Sequence, residues 1–272
     1  VSFFNVTRRL GGVLAAGWLA AIAACATPSP AIHPPPTSAC AKDGSVQSDS
    51  AAGIQPGSTI RFEIYLPPCY DQQAPLSYPV LYLLHGASGG SFTWNQNGAA
   101  RVANRMIRSG EVPPFILVTP GFASDVSASL DSICVTLADG LVPQIDRRFR
   151  TLADRQHRAV AGASFGGVVA TTMAFQFPAQ FGSVGSFGGG ILDRQVEDFN
   201  RWLAATPPDR RPRALIDIGD QDTTMRSFTN VLTQTLTQHT VPYTLIVEPG
   251  DHSYRYWASH LETYYRWFAE DW

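Results

Sequence analysis

The sequence predicts an α/β fold with a mostly parallel central sheet and helices on both faces. Three observations predict it. Strand-like and helix-like segments alternate along most of the chain, the pattern of parallel strands joined by crossover helices. Several strand-like segments are continuous apolar runs, as in strands covered on both faces. Three of these runs end in short loops rich in Gly, His, Ser or Asp, and open sheets of this kind place their functional groups beyond the carboxyl ends of the strands.

Taken in order, residues 59–66 alternate apolar with polar, as a half-exposed strand does. Residues 80–84 are a pure apolar run stopped by His85-Gly86, and 115–119 are another, stopped by Pro120-Gly121. Strands follow at 158–162, 183–187, 214–218 and 243–247. Helical periodicity fills the intervals at 99–109, 129–147, 165–176, 195–204, 225–240 and 254–269. No internal repeat and no second domain boundary is visible between 42 and 272.

The first forty residues read differently. Arg8-Arg9 precede an uncharged apolar run of about 15 residues, short for a bilayer span and suited to a signal-peptide core. The run ends in Ile22-Ala23-Ala24-Cys25, which resembles a bacterial lipobox and implies cleavage before Cys25 and lipidation of its sulfur. Ordinary signal-peptidase cleavage near Ala24 to Ala26 is the alternative. Residues 26–37 carry five prolines and predict an extended tether. The expected organisation is therefore a lipoprotein-type signal peptide at 1–24, a Pro-rich tether at 25–41 and one α/β domain at 42–272. Membrane contact is expected through the N-terminal lipid anchor only, and the location is exported: membrane-anchored, periplasmic or extracellular.

In such a compartment a Cys40–Cys69 bridge would pin the start of the domain to the loop after the first strong strand, with three free thiols as the alternative. Cys134 lies in an apolar-periodic stretch and reads as a buried free thiol. Twenty basic against 22 acidic residues give a net charge of −2, which excludes a basic nucleic-acid-binding surface. Charged residues make up 15% of the chain, below the usual roughly 25%. That shortage suits an uncharged partner better than an ionic one.

Chemistry concentrates at three strand ends. Gly162-Ala163-Ser164-Phe165-Gly166 follows a short strand and opens an apolar helix, the context a nucleophile elbow requires. A serine hydroxyl needs a base to take its proton, and the base needs an orienting carboxylate. The loop Gly219-Asp220-Gln221-Asp222 supplies the acid. Asp222 reaches far enough to turn back over the site, Asp220 is the runner-up, and Asp217 is confined to the strand. Gly250-Asp251-His252-Ser253 places His252 in a loop just before a helix, as the base. His85 reads as a structural hydrogen-bonder, His157 lies at the wrong end of its strand, and His239 and His260 are helical. The order Ser164, Asp222, His252 is that of α/β-hydrolases. The Gly-rich loop at 85–90 would present the Ala87 N–H which, with the Phe165 N–H, makes a two-donor oxyanion hole. It lacks the Lys-Ser/Thr ending of a phosphate-binding loop.

Tyr65-Leu66-Pro67-Pro68, residues 79–86, Trp94, residues 113–118 and residues 162–167 together resemble the esterase D-like branch of α/β-hydrolases, with its S-formylglutathione hydrolases, feruloyl esterases and mycolyltransferases. The resemblance runs from about 59 to 272 and implies the α/β-hydrolase fold. Its serine, acid and histidine map onto Ser164, Asp222 and His252, and its oxyanion donors onto Ala87 and Phe165. Phe165 stands where many members have Met or Leu, and Cys69 where many have Gly. Lids in this fold follow the strand before the acid strand. The stretch from Gly188 to Arg213, about 26 residues, allows one helix and a loop, so no large lid is expected. Trp94, Phe122, Phe187, Trp202, Tyr254 and Trp257 are the aromatic candidates for the cleft, each with core packing as its alternative.

The expected activity is hydrolysis of a carboxylic ester through an acyl-serine, without cofactor or metal, on acylated glycans, feruloyl-type or short-chain acyl esters. The same site could transfer the acyl group to an envelope glycolipid, or the fold could serve only as an envelope binding module.

Overall fold

The computed structural model describes residues 42–72, 75–122 and 129–272. The expected signal peptide and tether, with Cys25 and Cys40, lie outside the described residues. Eight strands form one sheet: β1 (Ser45–Ala52), β2 (Thr59–Leu66), β3 (Val80–Leu84), β4 (Ile116–Pro120), β5 (Arg158–Ala163), β6 (Ser183–Phe187), β7 (Arg213–Gly219) and β8 (Tyr243–Glu248). Their order is β1-β2-β4-β3-β5-β6-β7-β8. The pairs β1–β2 and β2–β4 are antiparallel and every other pair is parallel.

The alternation of each strand divides the core in two. On β3, Val80, Tyr82 and Leu84 face one apolar layer, while Leu81 and Leu83 face the other. The first layer is completed by α3 (Leu130–Val135), α4 (Val142–Arg148), α5 (Phe165–Gln176), α6 (Val196–Ala205) and α7 (Arg226–Gln238). The second is completed by α2 (Ala99–Ser109), α8 (Tyr254–Ser259) and α9 (Leu261–Ala269), with α1 (Thr93–Gln96) beside it. The chain runs from β3 to β4 on one side and then returns to β5 on the other side of β3. α2 and α5 therefore lie on opposite faces, and the loops after β3 and β5 flank an open crevice. Between β6 and β7 the described chain holds α6 and short turns, so no large lid covers this edge.

Three features differ from the expected elements. β1 is an added edge strand. Its sequence SVQSDSAA is polar and only Ala51 is buried, so its existence rests on the eight-residue ladder to β2 rather than on an apolar face. Its polar surface also suits a sheet edge. The expected helix at 129–147 is interrupted by a π-helical turn at Thr136–Leu141 just ahead of α4. Pro143 sits in the first turn of α4, where it lacks an N–H and crowds the carbonyl four residues back. The expected helix at 254–269 breaks at His260, which turns its ring toward the sheet.

That ring meets Asp217, the carboxylate inside β7, which is fully buried. Asp217 Oδ2 takes hydrogen bonds from His260 Nδ1 at 2.8 Å and from the Tyr264 hydroxyl, and Oδ1 takes one from the Tyr256 hydroxyl at 2.7 Å. One carboxylate thus ties α8, the break and α9 to the sheet. Burial, with the adjacent carboxylate, raises both phenol pKa values, so both hydroxyls stay protonated as donors. Asp217→Ala leaves two phenols and an imidazole without their acceptor and is expected to cost about 3 kcal/mol in urea unfolding. A loss under about 1 kcal/mol would remove this carboxylate from the account of how α8 is held.

Candidate active site

The elbow at the end of β5 is built by close approach. Ser164 has φ +56° and ψ −123°, a conformation L residues rarely adopt and that costs about 1–3 kcal/mol. It is held by its own N–H on the Phe187 carbonyl at 2.8 Å and by its carbonyl, which accepts from Gly167 N–H at 2.9 Å. A Cβ on Gly162 would lie 2.4 Å from the Gly166 carbonyl oxygen, and one on Gly166 would lie 2.4 Å from that of His85. Both glycines are therefore required by backbone contact. Ser164 stands at the N-cap of α5, yet its side chain makes no cap hydrogen bond there. The hydroxyl is instead engaged by His252, whose Nε2 lies 2.8 Å from Ser164 Oγ.

His252 Nδ1 lies 2.7 Å from Asp222 Oδ2. A carboxylate only accepts, so the imidazole proton is on Nδ1, and Nε2 accepts from the serine hydroxyl. Asp222 is 1% exposed, and its other oxygen, Oδ1, accepts from the N–H groups of Thr224 and Met225, both at 3.0 Å. With both oxygens occupied, the carboxylate has one orientation. The structure thus brings Ser164, His252 and Asp222 into one line.

It does not bring Asp220 there. Asp220 Oδ1 accepts from Gly250 N–H at 3.0 Å, and the backbones of the two loops interlock through Asp220 N–H on Glu248 O at 2.8 Å and Gln221 N–H on Gly250 O at 2.9 Å. Asp220 therefore fastens the acid loop to the histidine loop. A Cβ on Gly219 would fall 2.3 Å from the Gly250 carbonyl oxygen, so that junction also requires glycine.

Ala87 lies in the loop after β3, and Phe165 at the first position of α5, where a helix leaves its N–H groups without internal partners and carries positive partial charge. His85 is buried, donates from Nδ1 to the Gly86 carbonyl at 2.7 Å and accepts at Nε2 from Phe122 N–H at 3.3 Å. Burial pushes its pKa down, in keeping with a neutral ring held as a structural piece. It stacks on Phe122 with centroids 4.2 Å apart. The remaining histidines sit elsewhere, His157 on Asp154 and His239 on Asn200. Cys69 is disulfide-bonded, its expected partner Cys40 lying outside the described residues, and Cys134 is a free, buried thiol whose pKa burial raises.

The aromatic candidates divide. Phe187 is fully buried and stacks on Tyr264 at 3.7 Å, and Trp202 packs on Phe199, so both are core. Trp257 meets the His252 ring edge-on at 5.0 Å. Tyr254 stands edge-on to both Trp94 and Trp257. Phe122, with His85, Phe92, Ile60, Ile133 and Leu137, lines a cavity of about 710 Å³ beside the loop after β3. Its described lining includes neither the acid and histidine loops nor Ser164, Ala87 and Phe165. Two features escaped the sequence reading: the Asp217 cluster and the contact of the Tyr254 hydroxyl with Gly86 N–H. Among the described residues no group of three or more His, Cys, Asp or Glu side chains is placed to hold a metal ion, and no helix is long and apolar enough to cross a membrane.

Comparison with known proteins identifies the family and the fold. An endo-1,4-beta-xylanase/feruloyl esterase of Xylanibacter ruminicola is 31% identical over 167 residues, 57% of this chain. The chain spans 23% of the length of that relative. A solved ferulic acid esterase superposes with a TM-score of 0.74 at 25% identity, covering 85% of this chain and 99% of the other. A variant of the feruloyl esterase module from Clostridium thermocellum, complexed with sinapinate, superposes with a TM-score of 0.73 at 17% identity, covering 85% and 90% of the two chains, and so shares the fold. The family model described as Putative esterase matches residues 54–128 and 134–268, and the chain belongs to that family.

Proposed function

We propose that this chain is a serine carboxylic-ester hydrolase that works through an acyl-enzyme. The observation that carries the reading is the continuous relay from Ser164 Oγ through His252 to Asp222, at 2.8 and 2.7 Å. His252 Nε2 takes the hydroxyl proton as Ser164 Oγ bonds to the ester carbonyl carbon. The carbonyl oxygen, now negative, is held by the Ala87 and Phe165 N–H groups, each worth roughly 2.7–4 kcal/mol to the transition state. The proton then passes from Nε2 to the leaving oxygen as the C–O bond breaks, which frees the alcohol. Water, deprotonated by the same nitrogen, attacks the acyl-serine and releases the acid. Asp222 keeps the imidazole in the required tautomer and stabilises the cation formed at each step.

The leaving oxygen must approach Nε2, so the alcohol part lies on the His252 side. The cavity walled by His85 and Phe122 lies beside the loop that carries Ala87, which supports it as the acyl site. Its lining combines apolar Ile60, Phe92, Phe122, Ile133 and Leu137 with polar Ser58, Arg61, Ser91 and Thr136, which suits an aromatic or medium-length acyl group bearing hydroxyl or methoxy substituents. The ferulate- and sinapinate-related proteins that share the fold favour feruloyl-type or other acylated-glycan esters as substrates. The N-terminal sequence supports action outside the cytoplasm, with Cys25 as the lipidated residue and a Cys40–Cys69 bridge at the start of the domain.

Ser164→Ala is expected to lower hydrolysis of p-nitrophenyl esters by at least about 10³-fold and to abolish labelling by a fluorophosphonate, with an unchanged melting curve. Full activity in that variant would exclude the reading. The two neighbouring carboxylates should separate. Asp222→Asn leaves an amide facing Nδ1 and is expected to reduce kcat by about 10³–10⁴-fold, whereas Asp220→Asn, remote from the imidazole, should cost less than about tenfold. Steady-state kinetics on both variants checks this, and equal losses would contradict the assignment.

A further inference from the structure

The Tyr254 hydroxyl lies near Ser164 and takes no part in the steps described above. It accepts the Gly86 N–H at 2.7 Å, so its own hydrogen points elsewhere, and the described residues offer that hydrogen no acceptor. Gly86 separates the phenol from the serine by very little. A Cβ on Gly86 would lie 3.6 Å from Tyr254 Oη and 3.3 Å from Ser164 Cβ. Phenol and serine therefore border one small space. His252, two residues before Tyr254, bounds the same space through its 2.8 Å contact with Ser164. An alcohol oxygen close enough to take a proton from His252 Nε2 lies in this same neighbourhood of Ser164, which Gly86 and the phenol border.

We propose that the Tyr254 hydroxyl donates a hydrogen bond to the departing alcohol oxygen of the ester, as a third donor beside the two backbone amides. It moves no proton: the proton on the leaving oxygen comes from His252, and Tyr254 keeps its own. The Gly86 N–H polarises the phenol and makes it a better donor. Burial raises its pKa, so the hydroxyl stays protonated under basic assay conditions. Its position is fixed beforehand. The ring stands between Trp94 and Trp257 at centroid distances of 5.3 and 5.2 Å, Trp94 is anchored by its indole N–H on the Leu84 carbonyl at 2.8 Å, and α8 is tied to Asp217 through Tyr256. A donor held in this way needs no reorganisation when negative charge develops on the leaving oxygen. Since a poor leaving group develops more charge before it departs, the contribution should grow with the basicity of the alcohol.

The inference rests on the serine-esterase reading, and its test keeps the two apart. Tyr254→Phe retains the ring between the indoles and removes only the hydroxyl. It is assayed on esters sharing one acyl group, with leaving alcohols running from p-nitrophenol through phenol to ethanol. The expected result is a loss in kcat/KM under about threefold for the nitrophenyl ester, rising to about thirtyfold or more for the ethyl ester, with KM little changed. Labelling of Ser164 by a fluorophosphonate, which expels no alcohol, should stay within about threefold of wild type. The same loss across the whole series, or a comparable loss in labelling, would overturn the proposal and leave the phenol as a positioning residue acting through Gly86. No loss with the ethyl ester would overturn it as well. Ser164→Ala is assayed alongside: activity surviving there would instead overturn the serine-esterase reading, independently of Tyr254.

Discussion

The structure depends on one backbone constraint, the strained turn at Ser164. A residue at φ +56° persists only where its surroundings leave it no alternative, and here the surroundings are backbone. The end of β3, the turn and the start of α5 approach so closely that Gly162 and Gly166 have no room for a Cβ. That packing lifts the hydroxyl above the sheet edge and removes it from the capping role a serine at a helix N-terminus usually takes. A serine that capped its own helix would not be available to His252. The small residues of the elbow are therefore the cause of the nucleophile's geometry.

The base and the acid are positioned by a different device, the clasp between neighbouring loops of β7 and β8. Six residue pairs hold these strands in register up to Gly219 opposite Glu248, and the loops beyond them stay joined by backbone and Asp220 hydrogen bonds. Three carboxylates on or just after β7 thus take three tasks. Asp217 faces inward and secures α8 and α9, Asp220 joins the loops, and Asp222 meets the imidazole. Environment divides them, since a fully buried carboxylate must be saturated with donors, and only these positions supply the donors. The same framework carries Tyr254 and Trp257 to the wall of the site beside His252.

Much of this was legible in the sequence, for identifiable reasons. β3, β6, α2 and α5 lie at the expected residues because each is an apolar or periodic run bounded by Gly, Pro or polar turns. Ser164 and His252 stood out because each lies in a glycine-containing turn between a strand-like run and a helical one. Asp222 was separable from Asp220 by reach along the loop. β1 was not legible, because a polar edge strand exists through its ladder to β2 and leaves no periodicity in its side chains. The break at His260 and the Asp217 cluster were hidden because their partners lie 39 to 47 residues apart. The phenol of Tyr254 meets an amide 168 residues away, so one chain position gives no hint of the other.

In the proposed reaction Ser164 carries the acyl group between the two halves. Acid-quenching the enzyme during turnover of a slowly deacylating aromatic ester, followed by peptide mass spectrometry, tests it most directly. A single acyl adduct is expected on the peptide holding residues 162–167, and on Ser164 within it. An adduct on another residue, such as Cys134, or continued turnover with no covalent acyl-enzyme under any quench time, would contradict it.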